Sequence, residues 1–196
     1  MIQSRLKYMR LVTYQTVEAV EHLLKTGSLF IDKDSLEFTS PYLFKENERF
    51  KVLYDYICKN MQDLAGKSDE IIYPLWGWYT VNGRRNIPKT NDHFYKGMYR
   101  LEIEIDRKDV LLTDFDKYCY LLNSSYLPKD EKEKEWYQTN MFQISEKQRE
   151  ESYQFLFKIF HLHDGYTYFS FLKRNVQATF WVLKKEQIKK MYLIEE

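Results

Sequence analysis

The sequence predicts a single α+β domain over residues 1–196, with helices packed on a mixed or antiparallel sheet. Residues 99–105 alternate between apolar and polar side chains, which is typical of a half-buried strand. Residues 16–26 and 47–65 instead repeat apolar side chains at helical spacing. Strands and helices interleave without the regular βαβ rhythm of a parallel sheet, and this favours the α+β class.

The composition is that of a globular protein with an aromatic core. The 196 residues include 13 Phe, 4 Trp and 17 Tyr, and they can bury a large apolar area. A formal charge of +1 gives no strong attraction for duplex nucleic acid. No apolar run approaches the ~20 residues that span a bilayer, and the first residues lack an apolar signal core. We therefore expect a cytoplasmic protein without membrane contact.

The first elements follow from caps and periodicity. Residues 9–14 predict a strand, and Thr16 is a good N-cap for the helix over 16–26, which Gly27 ends. Leu29–Ile31 is a short extended piece.

The next segment contains the aromatic motif. The helix over 47–65 is followed by Gly66, and residues 72–80 predict a strand. Asn82-Gly83 is a strong signal for a type I′ turn. The polar residues 84–97 predict a loop.

The second half of the chain begins with a short strand at 110–112. Asp114 then caps a helix over 115–122. The charged run at 129–135 is typical of a solvated helical face, and a further helix is expected over 146–160. The last predicted elements are a strand at 176–183, a helical turn at 184–188 and a strand at 191–194. We expect the main sheet to contain the strands near 9–14, 72–80, 99–105 and 176–183.

The most distinctive motif is the aromatic run from Tyr73 to Tyr79. Alternation places Trp76 and Trp78 on one side of the strand and Leu75 and Tyr79 on the other. Such an aromatic side is either a wall of the core or a surface on which a planar ring stacks.

Three polar residues are candidates for catalysis. Asp114 and Asp116 flank a helix start, where two carboxylates could perform acid–base chemistry or bind a cation. Capping by Asp114 and a favourable dipole interaction of Asp116 are the favoured account, with the catalytic role as the alternative. Gln177 lies on the same strand side as Thr179, and it either pairs with the backbone or contacts a ligand.

Metal and disulfide chemistry have weaker support. His161 and His163 with Asp164 form a possible ligand pair without an evident third ligand, so no metal site is predicted. Cys58 and Cys119 lie in apolar helical patterns and are expected to be buried free thiols.

Several of these motifs together resemble a bacterial family catalogued only as a domain of unknown function. They are residues 9–29, Tyr73-Pro-Leu-Trp-Gly-Trp, Leu111-Leu-Thr-Asp-Phe-Asp with Leu122-Asn123, and Gln177-Ala-Thr-Phe-Trp181. The resemblance covers nearly the whole chain. Tyr118-Cys119 stands where that family often has Trp-His. If that His is catalytic in the family, this chain lacks it.

A second likeness, at the level of the fold, is to toxin-type ADP-ribosyltransferases. It rests on Arg10 to Thr13 as the first strand, on Gly27-Ser28-Leu29 after the helix, and on Gln177 in a late strand. The resemblance implies that NAD is the substrate and that Gln177 stands in the place of a Glu that binds the nicotinamide ribose. An amide can bind a hydroxyl group but offers no negative charge to an oxocarbenium-like transition state.

Two functions follow as hypotheses. The first is a nucleotide-handling enzyme of ADP-ribosyltransferase type, of toxin or defence kind. Its cleft would be lined by Arg10, Thr13, Tyr14, Trp76, Trp78, Asp114 and Gln177. Tyr14 or Trp76 would stack the nicotinamide and Arg10 would hold phosphate. The second is a non-catalytic recognition module whose aromatic face binds a base, a peptide or a partner protein.

Overall fold

A six-stranded antiparallel sheet organises the computed structural model, which describes residues 7–35, 48–158 and 174–195. In spatial order its strands are β5 (Leu111–Asp114), β6 (Val176–Phe180), β3 (Leu75–Thr80), β1 (Tyr8–Gln15), β4 (Tyr99–Asp106) and β8 (Ile188–Leu193). Two short strands, β2 (Ser28–Leu29) and β7 (Leu183–Lys184), pair separately.

Helices flank this sheet, and the α+β class is confirmed. In the described ranges they are α1 (Val17–Thr26), α2 (Glu48–Lys59), α3 (Phe115–Leu122), α4 (Glu131–Asn140) and α5 (Glu146–Ser152). None of these helices has the length and apolarity needed to cross a bilayer.

The two faces of the sheet have different roles. One face buries Leu11, Leu75 and Ile103 against α1 residues such as Leu23. On the opposite face, α2 and α3 cover the end of the sheet that contains β5, β6 and β3. Trp76 and Trp78 lie on this second face, as the alternation predicts, because Leu75 and Tyr79 belong to the first.

Several local predictions are confirmed by hydrogen bonds. Thr16 accepts from the Ala19 N–H at 3.2 Å, and Gly27 ends α1 with a φ of 88°. Asn82 and Gly83 both have positive φ, 51° and 72°, as a type I′ turn requires. Asp114 caps α3 by accepting from the backbone of Asp116 and Lys117.

Other boundaries were wrong for identifiable reasons. The helix predicted over 47–65 ends at Lys59, because the Asn60 N–H divides between the Tyr56 and Ile57 carbonyls and the chain tightens. The strand predicted from 72 begins at Leu75, after Pro74, which has no N–H for the ladder.

The predicted strand at 176–183 is divided in two. Trp181 is buried and its indole N–H donates to the Met61 carbonyl at 3.0 Å. The chain therefore leaves the large sheet after Phe180, and Leu183 pairs with Leu29 instead.

Two predicted segments contain 3₁₀ helix. Within the predicted loop 84–97, residues Lys89–Tyr95 form one, and the helix predicted over 146–160 changes to 3₁₀ at Tyr153–Phe157. Both cysteines are free thiols, but Cys58 is half-buried and Cys119 is exposed, so the predicted burial was wrong. His161, His163 and Asp164 lie outside the described residues.

Candidate functional site

A pocket of about 290 Å³ opens on the tryptophan face of the sheet. It lies between the ends of β1 and β3 and the segment that contains the 3₁₀ helix Lys89–Tyr95. The pocket is lined by Tyr14, Trp78, Val81, Asn82, Ile87, Phe94, Tyr95, Phe115 and Asn175.

Aromatic rings form most of the pocket wall. Tyr14 and Tyr95 stack with ring centroids 3.6 Å apart and planes 4° apart. Trp78 meets the Phe115 ring edge-on, with centroids 5.1 Å apart, and its indole N–H points to the Tyr95 hydroxyl at 3.4 Å. Phe94 stands at the rim with 74% of its surface exposed.

A buried ion pair holds one wall of the pocket against the sheet. Arg100 on β4 is buried and donates to the Asp92 carboxylate at 2.8 Å and to the Ile87 carbonyl at 2.6 Å. The Tyr14 hydroxyl donates to the same carboxylate at 2.9 Å. Burial and the Asp92 hydrogen bond raise the pKa of Tyr14 well above its usual value, so the phenol stays neutral.

The polar end of the pocket contains two amides. The Asn82 backbone N–H donates to Asn175 Oδ1 at 2.8 Å, and the nearby Asn175 side chain favours the charged form of Asp116 and so acts to lower its pKa. Burial, and then the nearby Asp114 charge, outweigh this effect and raise the pKa of Asp116 above the usual carboxyl range. Asn175 is thus held in one orientation at the edge of the pocket.

Asp114 directly precedes the lining residue Phe115 and is completely buried. Its Oδ1 accepts from the Asp116 and Lys117 N–H groups at 3.1 and 3.3 Å. Its Oδ2 lies 3.6 Å from Arg174 Nη1 and 4.0 Å from Lys117 Nζ. Burial raises the pKa of Asp114 although both cations oppose the change. These contacts describe a structural cap whose carboxylate does not reach the pocket surface.

The structure brings together only part of the predicted cleft. Tyr14 and Trp78 line the pocket, and Gln177 is the register partner of Trp78 on β6. Gln177 Oε1 is buried and makes no hydrogen bond to a described residue. Trp76 instead lies beneath the helices, where its ring meets Tyr54 and Tyr118 edge-on at 5.5 and 6.0 Å.

Two predicted binding residues lie apart from the pocket. Thr13 is buried on the opposite face of the sheet, where its hydroxyl donates to the Trp76 carbonyl at 2.6 Å. Arg10 precedes Tyr14 by four residues, about 13 Å along the strand. Its guanidinium is 87% exposed and pairs with Glu104 at 2.9 Å. One cleft containing all seven predicted residues is therefore not formed.

Sequence reasoning missed the residues that complete the wall. Phe94 and Tyr95 lie in the polar segment 84–97 that was predicted to be a loop. Two adjacent aromatic residues in such a loop were a signal of a binding surface. Phe115 was predicted only as the first residue of the helix over 115–122. Asn175 carried no signal, because only tertiary structure places it beside Asn82.

Comparison with known proteins identifies the family. A family described as Domain of unknown function (DUF3841) matches residues 10–189. The chain belongs to this family. No curated protein matches the chain, and no solved structure matches it. The family resemblance expected from the sequence is confirmed, whereas the likeness to ADP-ribosyltransferases gains no support. Among the residues described for this DUF3841 protein, no group of three His, Cys, Asp or Glu side chains could hold a metal ion.

Proposed function

We propose that this protein is a recognition module that binds a single nucleobase in the aromatic pocket. The observation that carries the proposal is the pocket itself, in which Trp78, Tyr95 and Phe115 surround one cavity with amide groups at its end. Every base has a π face, and stacking of one base on an aromatic side chain contributes about 1–3 kcal/mol.

The size of the pocket limits what it accommodates. Its volume of about 290 Å³ is just below the roughly 300–1,000 Å³ that ligand pockets occupy. A single planar ring system suits that volume, whereas a whole dinucleotide does not. The proposal is therefore recognition of one base, free or within a single strand.

The amides favour a base over a hydrocarbon ring. Asn175 is held by the hydrogen bond that it accepts from the Asn82 backbone N–H, so its position is set before a ligand arrives. Base edges carry hydrogen-bond donors and acceptors, while the phenyl ring of a peptide would leave this end of the pocket unused. A formal charge of +1 also disfavours tight binding to duplex phosphates.

The hypothesis of ribosyl transfer from NAD gains less from this geometry. It requires Arg10 near the stacking ring, but Arg10 is engaged with Glu104 at a distant part of β1. One face of the Tyr14 ring is covered by Tyr95. That hypothesis predicts that the protein consumes NAD and that Gln177→Ala abolishes the reaction, whereas the recognition module leaves NAD intact.

Calorimetric titration with the four ribonucleosides tests the proposal. We expect at least one to bind in the millimolar range or more tightly. Phe94→Ala should weaken that binding at least about fivefold, as loss of a stacking ring does.

Phe142→Ala is the matched control, because Phe142 is 95% exposed and lies outside the pocket lining. Substitution of either exposed ring should leave the fold intact, which circular dichroism verifies. A folded wild type that binds none of the four nucleosides at millimolar concentration contradicts the proposal, as does equal weakening by both substitutions.

A further inference from the structure

We infer that the base recognised by the pocket carries a phosphate group, which Arg84 binds at the rim. This inference rests on the proposed function and names its ligand class as a nucleotide or a single-stranded nucleic acid unit. Arg84 was not among the candidate residues that the sequence suggested.

The type I′ turn sets the face of the hairpin from which the Arg84 side chain starts. The backbones of Val81 and Arg84 exchange two hydrogen bonds, at 3.1 and 3.0 Å. Residues paired directly across an antiparallel bridge place their side chains on the same face. Val81 lines the pocket, so Arg84 stands on the pocket side of the turn.

The turn is itself anchored to the two residues that precede β6. Gly83 donates its N–H to the Arg174 carbonyl at 2.9 Å, and Asn82 donates to Asn175. Arg84 is therefore carried on a backbone that is fixed at both central residues of the turn.

The Arg84 guanidinium has no ion pair with any residue that the structure describes, and its side chain is exposed. Most other arginines near this end of the sheet are engaged. Arg100 pairs with Asp92, and Arg174 lies beside Asp114. A planar fork of donors at the edge of an aromatic pocket matches the geometry of a phosphate group attached to a stacked base.

Arg85, the next residue, provides an internal comparison. Its guanidinium lies over the Tyr79 ring, 5.0 Å from the centroid. Tyr79 belongs to the core on the opposite face of the sheet. The two adjacent arginines thus have the same charge but start from different faces of the hairpin, and Arg84 is the one that starts from the pocket side.

The test compares a nucleoside with its own 5′-monophosphate. Calorimetry at low ionic strength is performed with the nucleoside that binds most tightly among the four, and then with the matching nucleotide. We expect the nucleotide to bind wild type about tenfold more tightly, as a charge-assisted bidentate contact allows. Arg84→Gln should remove this preference while nucleoside affinity stays unchanged, and Arg85→Gln should retain the preference.

The outcomes separate this inference from the proposed function. Equal affinity of wild type for nucleoside and nucleotide overturns the phosphate site but leaves base recognition standing. An unchanged preference in Arg84→Gln, or an equal loss in Arg85→Gln, also overturns it. Absence of binding by all nucleosides and nucleotides removes both proposals. Tighter binding of N-acetyltryptophan than of the nucleotide would assign the pocket and its arginine to a peptide carboxylate instead.

Discussion

Asp114 is a residue for which a structural and a catalytic role predict different behaviour. Its Oδ1 caps α3, and its burial raises its pKa although Lys117 and Arg174 lie near Oδ2. Desolvation thus outweighs attraction, and an amide that keeps the capping oxygen should be tolerated. At pH 4 we expect Asp114→Asn to change the free energy of unfolding little, and Asp114→Ala to cost about 1–2 kcal/mol, as measured by urea denaturation.

A second cap serves as the control. Asp130 caps α4 by accepting from the Glu133 N–H at 2.8 Å, and it is not completely buried. Asp130→Asn should therefore be neutral in the same assay. A loss of about 3 kcal/mol or more in Asp114→Asn alone would mean that the buried ion pairs dominate, because breaking such a pair typically costs this much.

The raised pKa of Asp114 also predicts the direction of a pH effect. A carboxyl group whose folded pKa exceeds its usual value of 3.8 binds its proton more tightly in the folded protein. The stabilising contribution of protonated Asp114 is fully present below pH 3.8, and it is lost as the pH rises through the higher folded pKa. Asp114→Asn does not undergo this loss.

Relative to wild type, the Asp114→Asn variant should therefore become more stable as the pH rises above the usual carboxyl pKa of 3.8, and removal of the Asp114 charge also relieves Asp116. Urea denaturation of both proteins at several pH values measures this difference. A relative gain towards acid pH would show that the cations lower the Asp114 pKa in solution.

At the scale of elements, the position of the 3₁₀ helix Lys89–Tyr95 depends on the buried ion pair between Arg100 and Asp92. Arg100 and Asp92 are both buried, and Arg100 also donates to the Ile87 carbonyl. Arg100→Met leaves the Asp92 charge without its main partner, and we expect a cost of about 3–5 kcal/mol. Chymotrypsin should then cleave faster at Phe94 and Tyr95, because the pocket wall is no longer held against the sheet.

The exposed pair Arg10–Glu104 is the matched control on the neighbouring strand. Its Arg10 guanidinium is 87% exposed, and such pairs contribute about 0–1 kcal/mol. Arg10→Met should therefore leave stability and cleavage nearly unchanged. Similar costs for the two substitutions would show that Arg100 does not fasten this 3₁₀ helix. A double-mutant cycle with Asp92→Asn measures the coupling directly.

Elements with a local signal were predictable, and elements set by tertiary contacts were not. The Thr16 and Asp114 caps and the Asn82-Gly83 turn are encoded by a few adjacent residues, and all three are confirmed. The division of the strand near Trp181 depends on a hydrogen bond to Met61, far away in sequence.

At the scale of the molecule, the α+β fold class was predictable because the spacing of apolar residues indicates which face of each helix or strand is buried. The site was predictable only in part, for a physical reason. Tyr14 and Trp78 belong to strands whose side chains alternate between the two faces of the sheet, so the face on which each lies could be predicted from the sequence. Tyr95 and Asn175 reach the pocket through long-range contacts that periodicity does not encode.

The whole sheet must also avoid pairing with another sheet at its edge. Among the described residues β8 is the strand at one end, next to β4. It exposes Met191 and Leu193, which favour association, and Lys189 and Lys190, which oppose it. Lysines on an edge strand disfavour pairing with a further strand, because their charges would have to be buried or crowded.

Replacing both edge lysines should therefore increase self-association. We expect Lys189→Thr with Lys190→Thr to form larger species than wild type at equal concentration, as measured by size-exclusion chromatography with light scattering. The two lysines pair with Glu104 and Glu102, at 3.7 and 3.2 Å, but exposed pairs contribute only about 0–1 kcal/mol, so the fold should persist. The same change at Lys132 and Lys147, which lie on helices, removes equal charge away from any sheet edge. If both double variants associate equally, net charge rather than the edge controls association.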